Sequence, residues 1–180
     1  NPSNPTGTWL ERPQLDQLVD LCKEQGIWIL LDEVYRNPLY PDQEAAISDL
    51  YDKGISTSSL SKIYGCAGLR FGWMKACPEL IARVHSMRDY MLISTGPLVE
   101  QMAFVVLQNR QSIIENVQKV VAENKAILNK WLESTPYFKL NMPEKGTVSF
   151  LQLPEGTDST KFAVDLLEET GIFFVPGSTF

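Results

Sequence analysis

Leu15, Leu18, Val19 and Cys22 recur at the three- and four-residue spacing of one helical face. Pro13 suits the first turn of that helix, and Gly26 supplies its stop. Ile27, Trp28, Ile29, Leu30 and Leu31 then run without alternation. Such a run predicts a strand buried on both faces, the habit of parallel sheets under helices. Shorter strands are predicted over 54–59 and 69–75, so the first part of the chain reads as α/β. Past Pro78 the apolar period turns helical, over 79–91, 98–108 and 111–132. The last of these carries Ile113, Ile114, Val117, Val120, Val121, Ile127, Leu128, Trp131 and Leu132 as one stripe over about six turns. A coiled coil is the rival reading, but about three heptads with Asn124 in the seam do not sustain one. Strand-like alternation over 146–153, a helix over 159–169 and a strand over 172–175 begin a smaller α+β unit. The predicted organisation is an α/β unit over 1–110, a linking helix over 111–133 and a partial α+β unit over 134–180.

Composition narrows the class. The chain has 180 residues, 44% hydrophobic and 21% charged, as in an ordinary globular protein. Sixteen basic against twenty-two acidic residues leave a net charge of −6 and a pI near 4.8. No clustered basic surface is expected, and so no nucleic-acid partner. The longest apolar run, Met102 to Leu107, is six residues, far short of the ~20 that cross a bilayer. The opening Asn-Pro-Ser-Asn-Pro has neither a basic start nor an apolar core, so no signal peptide is expected. Cys22, Cys66 and Cys77 are odd in number and lack metal-ligand spacing, which fits a reducing cytoplasm and no metal site. The single histidine, His85, falls within a helix and is expected to be structural. Both ends look cut, as in a piece of a longer chain.

Candidate chemistry gathers in three segments. Asn4-Pro5-Thr6-Gly7 is, locally, a turn. Asp32-Glu33-Val34-Tyr35 follows the first strand, at the carboxyl end where α/β sheets keep their ligand crevice. Asp32 is expected to be at least half buried there, either capping a helix or meeting a cationic partner; the residues alone leave both readings open. Ser59, Ser61 and Lys62 end the second strand, with Arg70 eight positions on between Gly68 and Gly72. Hydroxyls with a guanidinium make a phosphate clamp. A lysine partly desolvated beside a cation becomes a usable amine nucleophile. One ligand with a phosphate, a carbonyl and a ring nitrogen answers all three segments, and pyridoxal 5′-phosphate has these groups.

In order, Asn-Pro-Ser-Asn-Pro-Thr-Gly, Asp-Glu-Val-Tyr, Ser-x-Ser-Lys, Gly-x-Arg-x-Gly-Trp and Val-Pro-Gly-Ser-Thr-Phe resemble the class I/II pyridoxal-phosphate-dependent aminotransferases of fold type I. The 28 positions from Asn4 to Asp32 match as well. The resemblance implies that Lys62 carries the cofactor and shuttles the substrate Cα proton. It implies that Asp32 faces the ring nitrogen, which decides between the two readings of that residue. Asn4 and Tyr35 would bond the ring's phenolic oxygen, and Val34 would pack on the ring. Ser59 and Arg70, with Ser61 as helper, would hold the phosphate. Tyr64, Cys66 and Gly68 are scaffolding in this reading. It implies amino-acid and 2-oxo-acid substrates; a sheet short of strands leaves an edge or apolar face uncovered, so a homodimer covering it is expected.

The family's upstream phosphate loop and ring-stacking aromatic have no counterpart here, nor has its downstream carboxylate-binding arginine. These residues alone are therefore expected to be inactive or to bind cofactor weakly. A β-eliminating lyase or cyclase of the same fold, or a non-catalytic fragment, are the alternatives.

Overall fold

The computed structural model describes residues 1–39 and 45–180. Helix α1, Arg12–Gln25, starts where the Gln14 side chain accepts from the Glu11 N–H at 2.8 Å. It ends at Gly26, whose φ of +66° lets the chain turn back without a Cβ penalty. Its buried face, Val19 and Cys22, packs on Ile29, Ile47 and Tyr51. The Tyr51 hydroxyl secures the following turn by donating to the Ile27 carbonyl at 3.0 Å.

The sheet has three strands in the order β1 (Ile29–Asp32), β2 (Gly54–Ser59), β3 (Gly72–Lys75). β1 and β2 are parallel, in register from Ile29 opposite Gly54 to Asp32 opposite Thr57. β2 and β3 are antiparallel, with Ser59 opposite Gly72. Between β1 and β2 lies the one-turn helix α2, Ile47–Leu50, which the apolar pattern was too short to reveal. It sits so close to β2 that a Cβ on Gly54 would stand 2.4 Å from the Ile47 carbonyl oxygen.

The helices α3 (Pro78–Met91), α4 (Pro97–Gln108), α5 (Arg110–Ser134) and α6 (Ser159–Thr170) follow the predicted periodicity within two residues. α5 is roughly 37 Å long, and its Ile114 joins Leu60, Ile63, Tyr64 and Ala103 in a second buried cluster. That cluster anchors the chain just after β2, where Leu60 has no exposure at all. No helix among the described residues is long and apolar enough to cross a membrane.

Several sequence expectations need correction. β1 is not buried on both faces: Leu30 is 65% exposed, because nothing among the described residues covers that face of the strand. β3 begins at Gly72, not at 69, because Ala67–Leu69 forms a 3₁₀ turn and Arg70 takes a left-handed φ of +51°. No strand forms over 146–153 or 172–175; a single antiparallel bridge joins Lys139 to Gln152. Alternation alone does not make a strand without a backbone partner, and Ile172 to Val175 lie open to solvent.

Candidate active site

At the carboxyl end of β1 a cleft of about 730 Å³ opens between the sheet and the N-terminal loop. Asn4, Asp32, Val34, Tyr35 and Lys62 all line it. Residues more than fifty positions apart in sequence thus converge on one cavity.

The N-terminal wall is built by backbone and amide contacts. The Ser3 N–H donates to the Thr8 carbonyl at 2.7 Å, and the Gly7 N–H to the Ser3 carbonyl at 2.9 Å. The Asn1 side chain clips this loop shut, accepting from the Leu10 N–H at 2.8 Å and donating to the Leu10 carbonyl at 3.1 Å. Gly7 sits at φ +68°, and a Cβ there would meet Pro143 at 2.5 Å. The loop bearing Asn4 is thereby pressed onto the segment 143–148. Trp9, also lining the cleft, carries the Lys145 ammonium 3.0 Å from its ring centroid.

Asp32 is the last residue of β1, and its Oδ1 accepts from the Val34 N–H at 3.0 Å. Two expectations change here. No helix begins after Asp32, so the carboxylate caps a turn instead. It is also exposed, since it faces the open cleft. The buried carboxylate is its neighbour Glu33, 2% exposed. Glu33 Oε1 accepts from the Ile47 N–H at 2.9 Å and the Ser56 hydroxyl at 3.0 Å, and Oε2 from Arg36 Nε at 3.0 Å. Bonds of this charge-assisted kind contribute about 1.5–3 kcal/mol each.

Tyr35 is 6% exposed and puts its ring 5.6 Å from Lys62 Nζ. Lys62 itself is exposed, on the turn closed by the Gly65 N–H to the Lys62 carbonyl at 3.0 Å. Among the described residues no carboxylate pairs with this lysine. Beside it, burial pushes the Tyr64 phenol up, against the opposing pull of Arg110 and Arg36.

Ser59, Ser61 and Arg70 do not line the cleft. The Ser59 hydroxyl accepts from the Ser61 N–H at 3.2 Å, and Arg70 Nη1 donates to the Ala67 carbonyl at 3.0 Å. Register puts Arg70 two residues from Gly72, the partner of Ser59, so both belong to one end of the β2–β3 ladder. Sequence reasoning had not singled out Glu33, Thr8, Trp9 or Lys145. Strand alternation offered a signal for Glu33, because two successive carboxylates at a strand end face opposite ways.

Chemically, the cleft offers a carboxylate, an amine, a phenol and an amide around an apolar Val34. That set fits a flat ring with a basic nitrogen, an oxygen acceptor and a carbonyl open to an amine.

A family model for aminotransferase class I and II matches residues 1–180. Among curated relatives, the capreomycidine synthase of Streptomyces vinaceus is 28% identical over 99% of this chain and 46% of its own length. An aspartate aminotransferase of Pyrococcus horikoshii is 27% identical over 99% of this chain and 47% of its own. A PLP-dependent aminotransferase structure from Streptococcus suis superposes with a TM-score of 0.91 at 34% identity, over 100% of this chain and 48% of that one. The PLP-dependent cyclase OrfR superposes at 0.90 with 25% identity, over 99% and 49%. The chain thus spans just under half the length of these proteins.

Proposed function

The chain belongs to the class I and II aminotransferases, and from that membership we propose that the protein moves an amino group from an amino acid to a 2-oxo acid using pyridoxal 5′-phosphate. The observation that carries this reading is the meeting of Asp32 and Lys62, with Tyr35 and Asn4, around one cleft. When bound, that cofactor supplies an aldehyde for exchange between amines and a ring that accepts electrons.

The chain's own residues do the rest. Lys62 Nζ would hold the cofactor through its aldehyde carbon, with loss of water, and, once displaced by the substrate amine, would take and return the proton at the substrate Cα. Asp32 would hold a proton on the ring nitrogen; its Oδ1 is oriented by the Val34 N–H. The Tyr35 hydroxyl and the Asn4 amide would bond the ring's phenolic oxygen, and Val34 would pack against the ring face. Ser59, Ser61 and Arg70 lie outside the cleft lining but together at one end of the β2–β3 ladder, and they would hold the phosphate in this reading. Residues 1–110 would then be part of the cofactor-binding domain, 111–133 the interdomain helix and 134–180 part of the small domain. A homodimer is part of the same reading, supported by exposed apolar side chains such as Tyr90 and Met91 on α3. So is a cytoplasmic setting, supported by three unpaired thiols.

The likeness to a synthase and a cyclase favours a second reading, in which the same residues deprotonate Cα and cyclisation or elimination follows. Borohydride reduction with cofactor, followed by peptide mass analysis, tests both against a non-catalytic chain: a pyridoxyl adduct on Lys62 is expected. Turnover that requires a 2-oxo-acid acceptor supports transfer, and acceptor-free formation of keto acid or cyclic product supports the second reading.

A further inference from the structure

Glu33 stands between the two acidic and phenolic groups of the cleft yet belongs to none of its walls. Leu31, Asp32, Val34 and Tyr35 all line the cleft, whereas the Glu33 side chain is absent from its lining and buried in the protein. Its backbone continues the β1–β2 ladder by one more bond, the Glu33 N–H to the Thr57 carbonyl at 2.8 Å. The Glu33 carbonyl accepts from the Arg36 N–H at 2.9 Å, closing the turn that carries Tyr35.

The side chain then ties that turn to two other elements. Oε1 takes the first N–H of α2, from Ile47, and the Ser56 hydroxyl of β2; Oε2 takes Arg36 Nε. Ser56 Oγ in turn accepts from the Ser48 N–H at 3.2 Å, so the network spans β1, α2 and β2. Every one of Glu33's partners is a donor. An acceptor-only carboxylate satisfies all three, whereas an amide would set an N–H against one of them.

We propose that Glu33 is a positioning residue for the cofactor cleft: its buried carboxylate fixes the turn that presents Asp32 and Tyr35 to the cleft. The proposal rests on the cofactor reading of the cleft.

Whole protein carrying Glu33→Ala is expected to bind pyridoxal 5′-phosphate more weakly by on the order of tenfold to a hundredfold, the effect of losing a supporting partner behind a ligand set. Its visible absorption band should also shift, along with the pH midpoint at which the band titrates. Tyr51→Phe is the control, since it removes a buried hydroxyl bonded to the Ile27 carbonyl, away from the cleft. It should lower the melting temperature and leave cofactor affinity and spectrum as they were. Should Glu33→Ala fail to fold, Glu33→Gln keeps an acceptor for Ile47 and Ser56; a shifted band at near-normal melting temperature is then expected. Equal loss of affinity in Glu33→Ala and Tyr51→Phe, or an unmoved band in the folded Glu33 variant, overturns the proposal. A wild-type protein that forms no adduct on Lys62 overturns the cofactor reading itself, an outcome told apart by requiring no variant.

Discussion

Asp32 and Glu33 are adjacent carboxylates in different surroundings, and the difference follows from which way each faces. Glu33 is buried and saturated by donors, so its charge is used up in holding the fold. Asp32 is open to the cleft with one local bond, which leaves an oxygen for a ligand. Asp32→Asn is therefore expected to leave cofactor bound while slowing proton removal at the substrate Cα by roughly a hundredfold or more; single-turnover absorbance of the whole protein measures it. Lys62→Ala is expected to abolish both the borohydride adduct and the visible band, since Lys62 is the lysine that lines the cleft. That Lys62, Asp32, Tyr35 and Asn4 would share one cleft was legible because each lies in a short ordered motif. Glu33 was not singled out, because a motif names residues without saying which side of a strand they occupy. Trp9 and Lys145 were invisible for another reason: they meet only when segments more than a hundred positions apart fold together.

At the scale of elements, helices were read well and strands less so. An amphipathic helix satisfies its own backbone, so its apolar stripe is sufficient evidence; α4 and α6 came within a residue of expectation. A strand depends on a neighbour that periodicity cannot reveal. The segment 172–175 has strand-like composition without a ladder, and Leu30 belongs to a strand with an open face. The contact between α2 and β2 shows what close packing demands. Gly54→Ala would drive a methyl into the Ile47 carbonyl, a backbone atom that cannot turn aside. A loss of roughly 1–3 kcal/mol is expected, read as a lowered melting midpoint. The same change at Gly68, with nothing within 4 Å of the added carbon, should be near neutral by comparison.

Over the whole molecule, α5 joins the cluster behind Lys62 to the segment that follows it. Its Ile114 lies in the buried cluster beside Lys62, while its Lys125 ammonium donates to the carbonyls of Pro143 at 2.5 Å and Glu144 at 3.2 Å. Burial holds the Lys125 ammonium below its usual 10.5, with Glu144 opposing in part. The folded state therefore binds this proton less readily than the unfolded chain does. That penalty on stability is complete below the folded value and fades as pH rises through it towards 10.5. Lys125→Met should flatten that stretch of the stability-against-pH curve, measured by urea unfolding at a series of alkaline pH values. An unchanged slope would mean that the ammonium is as well solvated folded as unfolded.

Gly7 joins these scales. Because no atom larger than hydrogen fits between it and Pro143, the loop bearing Asn4 is in direct contact with the segment 143–148. A methyl added at Gly7 would push the two apart, so the seat of the Asn4 amide depends on residues more than a hundred positions away.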